Sequence, residues 1–474
     1  MSSKTVVGTS PERDLASAVG YATQGQVRDE ALNLDGTVAP EWLDLFEALN
    51  RHGKEGLSAW RQSVARISRE RGLAYRPGSI DESPEEGWTL DPLPLVVSPE
   101  RWAGLEAGVA QRTRLFSAFL ADLYGPRRTL KERLFPAEIL LSHRGFLRAL
   151  HNLTPGDGII GLGLSAYDVA RDSAGQTFVV NDRFDAPFGL GLALENRSVV
   201  NKVLPQLFGR CGVRRIGQFF MDWFDYLGRC APTDSQAPQV VILDASEQGE
   251  DSEVGFLANY CGISRVHPSD LTVRDGRVWI KALNGLVPVD VIWKTMPGRD
   301  LDSLESENSM ARGIAGVFES IRGRGVAVAS HPGCEVLQAP GFYPYLSKIC
   351  RVLLGEDLLI PPVATWWCGE PGALAHVSEN LQSMVIKPAG HHSDFRTRYG
   401  SRLSSSELEE LKAQITANPT KFVGQEELQV STIPTSRPGG VVPRGAVLRM
   451  FGFLDQNDDA QIMPGGLARV STAD

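Results

Sequence analysis

The sequence has few cysteines and no closely spaced pair of them. Its six cysteines include no Cys-x-x-Cys motif, which argues against a disulfide-stapled small fold and against a zinc site built from neighbouring thiolates. The N-terminus lacks the apolar run of a secretory signal, and no stretch reaches the roughly 18 consecutive apolar residues of a membrane-spanning helix. We therefore expect reduced thiols, a cytoplasmic location and no membrane partner.

Basic residues are fewer than acidic residues. The chain has 48 Lys and Arg residues against 57 Asp and Glu, a formal net charge of −9. A protein of this charge does not hold nucleic acid through its bulk electrostatics, so we expect no nucleic-acid partner. The 474 residues, 42% of them hydrophobic, are enough for several domain-sized units with a large core.

The first third of the chain is mainly helical in pattern. Residues 1–20 have the mixed polar composition of a flexible leader, and helical spacing of apolar residues follows over 40–72. Ser98-Pro99 is a helix-start signal, and Gly125 ends the helix that it opens. Between the two helices, residues 93–97 predict a short strand. The arginines in and after the second helix are expected to face solvent: Arg112, Arg114, Arg127 and Arg128.

The pattern changes to strands before residue 200. Residues 159–164 and 177–180 predict two strands flanking a hairpin-type connection. Asp182 and Arg183 end the second strand, just before a Gly/Pro-rich loop, which is where catalytic groups are often found. A helix over 194–208 follows the loop.

A strand–helix–strand pattern over residues 238–297 predicts an open α/β sheet. Farther on, residues 384–388 predict a strand with Lys387 near its end, followed by a Gly/His/Arg-rich segment up to Gly400. Such a loop can close over a polyphosphate, with the lysine supplying charge and the loop amides supplying donors. No Walker A motif is present, so on spacing alone a phosphate contact stays one of the open alternatives for Lys387. His391-His392 in this loop are expected to be solvated rather than to bind metal.

Several blocks of sequence carry a resemblance when they are taken in order: Tyr21-Ala-Thr-Gln-Gly25 with Asp35-Gly36, Asp182-Arg-Phe-Asp-Ala-Pro-Phe-Gly with Ala193-Leu-Glu-Asn-Arg197, Pro362-Val-Ala-Thr-Trp-Trp-Cys-Gly369, Val385-Ile-Lys-Pro388, Gln425-Glu426, and Met463-Pro-Gly-Gly-Leu-Ala-Arg-Val470. Together they resemble the circularly permuted (type 2) ATP-grasp family, which is related to the synthetase domain of glutathionylspermidine synthase. The resemblance extends roughly from residue 20 to residue 470. It implies an α+β fold, namely a circularly permuted ATP-grasp fold with an inserted open α/β (pre-ATP-grasp-like) domain and a helical N-terminal region.

The resemblance and the element pattern together divide the chain into five segments: a flexible leader over 1–20, a helix-rich N-terminal region over 21–155, an ATP-grasp portion with a candidate metal site over 156–237, the open α/β domain over 238–345, and the ATP-grasp nucleotide-binding lobe over 346–474. The implied activity is ATP-dependent carboxylate–amine ligation through an acyl phosphate, with ATP and Mg²⁺ as cofactors. The implied partners are a small-molecule or peptide carboxylate and an amine. Relatives sometimes continue into a helical domain, so a helical partner, as a domain or as a separate protein, is also expected.

The resemblance also implies roles for individual residues. The ATP-binding candidates are Lys348, Lys387, Pro388, Gly390, Gln425, Glu426 and Leu428. Arg183 and Arg197 are the candidates for contacts with the γ-phosphate or the acyl phosphate, because a planar guanidinium binds an oxyanion bidentately. For each of these two arginines, a structural salt bridge is the alternative.

Magnesium is expected on hard oxygen donors. The candidates are Asp168, Asp182, Glu195 and Asn196. Their alternatives are structural, with Asp168 capping a turn and Glu195 and Asn196 capping the helix that they begin.

One departure from the family pattern bears on activity. The synthetase has a Glu-x-Asn strand end, whereas this chain has Asn181-Asp182-Arg183 at the same place. A neutral amide and a cation thus stand where two metal ligands are expected. The alternative to a ligase is therefore a nucleotide-binding pseudo-enzyme or an assembly partner with no ligase activity.

Overall fold

A computed structural model describes residues 11–23, 27–71, 89–154, 160–232, 237–246, 252–307, 312–390 and 395–471. The α-helices in these ranges are α1 (Pro11–Ala18), α2 (Leu43–Glu70), α3 (Pro99–Tyr124), α4 (Arg128–Lys131), α5 (Ala137–Leu141), α6 (Leu190–Val203), α7 (Pro205–Arg210), α8 (Gly217–Arg229), α9 (Ser252–Cys261), α10 (Val317–Arg322), α11 (Leu346–Leu353), α12 (Pro371–Glu379) and α13 (Ser405–Ala417).

The strands in the same ranges are β1 (Ser165–Arg171), β2 (Thr177–Arg183), β3 (Val240–Leu243), β4 (Ser264–Val266), β5 (Leu271–Arg274), β6 (Arg277–Ala282), β7 (Gly285–Val289), β8 (Val291–Lys294), β9 (Ala327–Ala329), β10 (Thr365–Trp367), β11 (Met384–Pro388), β12 (Arg398–Tyr399), β13 (Phe422–Glu426), β14 (Thr432–Arg437), β15 (Gly440–Leu454) and β16 (Ala460–Val470). The mixture of helices and sheets, with helices leading, agrees with the predicted α+β class. No helix in the described ranges has the length and apolar character needed to span a membrane.

A five-stranded antiparallel sheet joins the two halves of the chain. Its strands run in the order β14-β15-β1-β2, and β16 also pairs with β15. The long strand β15 therefore contacts both β1 and β16, and it aligns Asp168 with Arg449 across the β1–β15 pair. The predicted strand over 177–180 lies in β2, and β2 pairs with β1 as a hairpin, although β1 lies outside the residues 159–164 predicted for the first strand.

A second antiparallel sheet has the order β10-β13-β11-β12. It includes the predicted strand with Lys387 as β11, and Gln425 and Glu426 lie in its strand β13. One face of this sheet packs on α12 and α13 through a small apolar cluster that includes Ile386 and Leu411. Lys387 follows Ile386 on β11, so its side chain lies on the opposite face of this sheet, away from α12 and α13.

The predicted open α/β sheet is confirmed as a parallel sheet with the order β4-β3-β8-β9. Strands β3, β8 and β9 are buried along their whole length, as expected for parallel sheets, whereas the edge strand β4 is exposed at Ser264. Val241 and Ile292 belong to the core cluster that contains α3, whereas Val240 and Trp293 belong to the cluster that contains α6 and α8. The antiparallel sheet β5-β6-β7 connects β4 to β8 and was not predicted.

Helix α3 is confirmed with the start that the sequence predicts. Ser98 is its N-cap and accepts a hydrogen bond from the backbone amide of Arg101 at 3.3 Å, while Pro99 occupies the first turn. The expectation that its arginines face solvent is wrong for Arg112, whose side chain is 1% exposed. The reason is that α3 is buried on several sides, so that Arg112 points toward β2.

Three sequence boundaries differ from the structure. Residues 93–97 form no strand, because Pro94 has no amide to donate and no strand pairs with this segment among the described residues. The strand predicted over 159–164 begins instead at Ser165, since Gly163 has a φ of 63° that interrupts extended backbone. The expected leader over 1–20 includes helix α1, and its first ten residues lie outside the described ones.

Helix α6 begins four residues earlier than the sequence predicts. The carboxylate of Glu253, from α9, accepts hydrogen bonds from the amides of Gly189 (3.0 Å) and Gly191 (2.7 Å). A distant carboxylate therefore satisfies first-turn amides, which extends the helix back to Leu190. A local reading of the sequence has no access to this contact.

Candidate functional site

A β-bulge in strand β2 sets the direction of the candidate side chains. Asp168 lies opposite Asn181, but the next residue of β1, Val169, lies opposite Val179, so that β2 has one extra residue at this point. The bulge shifts the alternation of side chains along β2. Asn181 and Arg183 consequently lie on the same face as Asp168, and Asp182 lies on the opposite face.

Asp168 is fully buried at the centre of a cationic cluster. Its Oδ1 accepts a hydrogen bond from Arg449 Nε at 2.7 Å, and its Oδ2 accepts from Arg449 Nη2 at 3.0 Å and from Arg469 Nη2 at 3.1 Å. The amide of Asn181 also approaches Oδ2, at 3.4 Å. Burial alone would raise the pKa of Asp168, but the bonds and charge of Arg449, with Arg469 and Arg183, lower it below its usual value. Asp168 is therefore an ionised carboxylate enclosed by arginines.

Asp182 lies on the other face of the sheet, in a buried ion pair. Arg112 Nε donates to Oδ1 at 2.6 Å and Arg112 Nη2 donates to Oδ2 at 2.8 Å. The side chains of the two residues are 1% and 0% exposed. The bidentate pair attaches α3 to β2, and the backbone amide of Asp182 also donates to the hydroxyl of Tyr343 at 3.2 Å.

Lys387 brings the second sheet against the Asp168 face. It lies next to the end of β11, opposite Val423 of β13, and its Nζ is 3.5 Å from Asn181 Oδ1. The two predicted parts of the site, the strand lysine and the end of β2, are thus adjacent in space. More than 200 residues separate them along the chain.

The remaining ATP-binding candidates surround β11 and β13. Gln425 is buried, and its Nε2 donates to the hydroxyl of Thr365 at 3.0 Å. Glu426 is exposed at the end of β13, and Leu428 follows it half-buried. Pro388 ends β11, and Gly390 lies so close to His143 that a Cβ at this position would be 2.9 Å from the imidazole.

Two further predictions concern parts of the chain near this lobe. Lys348 is exposed on α11. His391 and His392, in the segment expected to act as a lid, lie outside the described residues. The roles of Lys348 and of the lid stay predictions.

Glu195, Asn196 and Arg197 lie on α6, which packs beside the five-stranded sheet. Glu195 accepts two hydrogen bonds from Arg71 Nη1, at 2.5 and 2.6 Å. Arg197 donates to the backbone carbonyl of Arg214 at 3.0 Å, and burial lowers its pKa. Asn196 is half-buried on the same helix. None of these contacts joins α6 to Asp168, and the roles expected for the three residues stay predictions.

Arg183 ends β2 on the Asp168 face, across from Ala166. Its Nε is buried and has no hydrogen-bond partner among the described residues. Its charge contributes to lowering the pKa of Asp168. Arg183 thus retains an unused donor beside Asn181 and Asp168.

The described residues do not fit a magnesium site. The predicted carboxylate ligands are engaged by different arginines: Asp168 by Arg449, Asp182 by Arg112, and Glu195 by Arg71. Throughout the described ranges, no group of three or more His, Cys, Asp or Glu side chains is arranged to hold a metal ion. Mg²⁺ prefers octahedral oxygen donors, and here those oxygens already accept from guanidinium groups.

A second charged cluster underlies the loop after β2, and sequence reasoning missed it. Lys294, fully buried at the end of β8, donates to the carboxylate of Asp185, and Asp185 also accepts from the amide of Gly298 at 3.1 Å. Although burial would lower the pKa of Lys294, Asp185 keeps it above its usual value. The signal in the sequence is a lysine that directly follows the apolar residues of a buried strand.

Glu335 belongs to the same cluster and pairs with Arg299. Burial, together with the charge of Asp185, raises the pKa of Glu335 to about 7, although Arg299 and Lys294 oppose the rise. The cluster therefore connects the loop after β2 to the parallel sheet through charges that are largely out of contact with water.

Arg449 and Arg469 were also missed as site residues. Arg449 lies between Leu448 and Met450, whose side chains belong to the core on the other face of β15. The sequence does offer one signal for Arg449, namely a charged residue within an otherwise apolar stretch of strand. It indicates a buried partner but does not identify Asp168.

A strand lysine of one antiparallel sheet reaches a charged face of another antiparallel sheet, which is typical of an ATP-grasp arrangement. The family model described as circularly permuted ATP-grasp type 2 matches residues 94–471. The chain belongs to this family, and the resemblance and fold class predicted from the sequence are confirmed.

Relatives and a solved structure agree with this membership. An uncharacterized protein of Mycobacterium tuberculosis is 34% identical over 453 residues, which is 93% of this chain and 50% of that protein. An uncharacterized protein of Synechocystis is 28% identical over 448 residues, covering 94% of this chain and 93% of that protein. The chain thus spans about half the length of the mycobacterial relative.

Among solved structures, a glutathione synthetase like-effector from Globodera pallida, in its apo form, matches with a TM-score of 0.55 and 11% sequence identity. The match covers 87% of this chain and 94% of that chain. At this identity, the likeness shows the fold.

Proposed function

We propose that the protein is an ATP-dependent ligase that joins a carboxylate to an amine through an acyl phosphate. Membership of the ATP-grasp family supports an ATP-dependent ligase in general. The observation that carries the proposal is the 3.5 Å approach of Lys387 Nζ to Asn181 Oδ1. It joins the lysine-bearing sheet to the cationic face of the other sheet, where a polyphosphate would be enclosed by positive charge.

In this proposal, Lys387 and Arg183 bind phosphate oxygens of ATP. Arg469 takes the role first given to Arg197, contact with the acid or the acyl phosphate. Arg469 lies at the Asp168 face with its side chain 33% exposed, whereas Arg197 is held by the carbonyl of Arg214. Arg449, only 7% exposed, positions Asp168 rather than the substrate.

The base of ATP lies beside β13 in this proposal, and the residues that line it are Pro388, Gly390, Gln425, Glu426 and Leu428. Gln425 positions the strand through its bond to Thr365. Glu426 is exposed and can accept from the nucleotide.

The proposed reaction needs positioning more than covalent help from the protein. A carboxylate oxygen of the acid attacks the γ-phosphorus and ADP leaves. The neutral amine nitrogen then attacks the acyl carbon, phosphate leaves with the bonding electrons, and the proton lost by the nitrogen passes to the departing phosphate. Lys387, Arg183 and Arg469 hold the oxyanions in line and reduce the repulsion between them. The acid we propose is a small peptide or amino acid.

The first test is calorimetric titration of the folded protein with ATP in Mg²⁺ buffer. We expect Lys387→Ala to weaken binding at least about tenfold, which is about 1.4 kcal/mol. Lys412→Ala is the matched control, because Lys412 is exposed on α13 of the same lobe. Absence of binding at millimolar ATP, or an equal loss in the control variant, would overturn the proposed nucleotide site.

A nucleotide-binding protein without ligase activity is the second candidate. Asn181 and Arg183 favour it, because they stand where the family's synthetase has Glu and Asn. Phosphate release is then measured with pairs of acids and amines. Release that needs both the acid and the amine supports the ligase, whereas tight ATP binding with no such release from any pair supports the second candidate.

A further inference from the structure

The Asp168 face carries more positive than negative charge. Arg183, Arg449 and Arg469 lie on this face, and Lys387 approaches it from the other sheet. Asp168 is the carboxylate that Arg449 and Arg469 share. Among the described residues, these four cations outnumber the one carboxylate on this face, so that the described part of the face attracts anions.

The carboxylate oxygens of Asp168 are already engaged as acceptors. Oδ1 accepts from Arg449, and Oδ2 accepts from Arg449, Arg469 and Asn181. A divalent cation could bind Asp168 only after displacing guanidinium groups that donate charge-assisted bonds. The incoming ion would also be repelled by the arginines that remained nearby.

Arg183 places a positive charge at the position where the family's synthetase has a residue that binds the metal ion. Its guanidinium is permanently charged and planar, which suits a phosphate oxygen pair. Its buried Nε has no hydrogen-bond partner among the described residues. An anion at this position would satisfy that donor.

We propose that this site binds the triphosphate of ATP through fixed side-chain cations, with Arg183 in the place of a protein-held magnesium ion, so that nucleotide binding does not require Mg²⁺. The inference rests on the proposed nucleotide site between the two sheets. The family resemblance implies a magnesium ion held by the protein, whereas here arginine and lysine side chains neutralise the phosphates. A Mg²⁺ ion that arrived with ATP would not need a ligand from these side chains.

The experiment is titration of the full chain with ATP in two buffers of equal ionic strength, one with excess Mg²⁺ and one with EDTA. We expect the dissociation constants of the wild type in the two buffers to agree within about threefold. Binding that weakens about tenfold or more in EDTA would overturn this inference but leave the proposed nucleotide site standing. Absence of binding in both buffers would overturn both.

Variants at the end of β2 test whether Arg183 is responsible. In EDTA, we expect Arg183→Asn to weaken ATP binding about tenfold and Arg183→Lys to weaken it less. Arg274→Asn is the matched control, because Arg274 lies in β5, 69% exposed, away from the site. Asn181→Glu with Arg183→Asn restores the Glu-x-Asn pattern. We expect the double variant to bind ATP at least about tenfold more tightly with Mg²⁺ than with EDTA; equal binding in both buffers would contradict the assigned role of these positions.

Discussion

Replacing Arg112 by Met tests whether the buried pair with Asp182 holds α3 to the central sheet. The substitution removes two charge-assisted hydrogen bonds, at 2.6 and 2.8 Å, and a weaker bond to the carbonyl of Ile360 at 3.4 Å. It also leaves the carboxylate of Asp182, 0% exposed, without its cation. Removing one partner of a buried pair typically costs about 3–5 kcal/mol, a large part of an ordinary folding free energy.

The assay is equilibrium unfolding in urea, followed by tryptophan fluorescence and by far-UV circular dichroism. The second probe matters because a chain of several lobes need not unfold in one step. With an m value of about 3 kcal/mol/M, the expected loss lowers the urea midpoint by about 1–2 M. Arg114→Met is the matched control, because Arg114 lies on the same helix and pairs with Glu356 at the surface, with the two side chains 40% and 38% exposed. Its expected cost is about 0–1 kcal/mol.

A double-mutant cycle separates the ion pair from simple loss of packing. Asp182→Asn alone should also destabilise, because it leaves the charge of Arg112 buried. The combined variant, Arg112→Met with Asp182→Asn, should fall short of the sum of the two losses by about 1–3 kcal/mol. An Arg112→Met protein within about 1 kcal/mol of wild type, or additive effects in the cycle, would show that the buried pair does not hold α3 to the sheet.

Two further predictions concern the charged cluster behind the loop after β2. Lys294→Met should destabilise the protein by about 3–5 kcal/mol in urea unfolding, since it leaves the buried carboxylate of Asp185 without its cation. The same change at the exposed Lys412 should leave the free energy of unfolding nearly unchanged. Equal losses in the two variants would contradict the role of the Lys294–Asp185 pair. Glu335, whose pKa burial and Asp185 raise from 4.5 to about 7, contributes stability that is fully present below pH 4.5 and is lost as the pH rises through about 7. Relative to Glu335→Gln, the wild type should therefore lose up to about 3 kcal/mol between pH 4.5 and 8, and parallel stability curves for the two proteins would disprove this.

Much of the fold could be predicted because its signals are local. The start of α3 at Ser98-Pro99 is a capping pattern, and the parallel sheet follows from a strand–helix–strand pattern. Lys387 could be singled out because it stands near a strand end before a glycine-rich segment. These features depend on a few neighbouring residues, so that one sequence is enough to find them.

The contacts that define the site could not be predicted in the same way. The bulge in β2 shifts the alternation of its side chains, so that Asp182 lies on the face opposite Asp168. Nothing in residues 177–183 specifies an extra residue at this point. The burial of Arg112 depends on a partner 70 positions away, although its helix has an ordinary mixture of charged and apolar residues. The pairing of Asp168 with Arg449 spans 281 positions. Which oxygens are left for a metal or a substrate is decided by these distant partners.

The pairing of β1 with β15 also has a consequence for synthesis of the protein on the ribosome. Strands β1 and β2 are complete at Arg183, but β15 begins only at Gly440. At about 5–20 residues per second, the intervening stretch takes about 13–50 s to translate. During this interval the hairpin edge that later pairs with β15 is open to incorrect partners. The cationic face can form only after β15 and β16 have emerged, so that a nascent chain stalled before Gly440 has both strands of the hairpin but lacks Arg449 and Arg469.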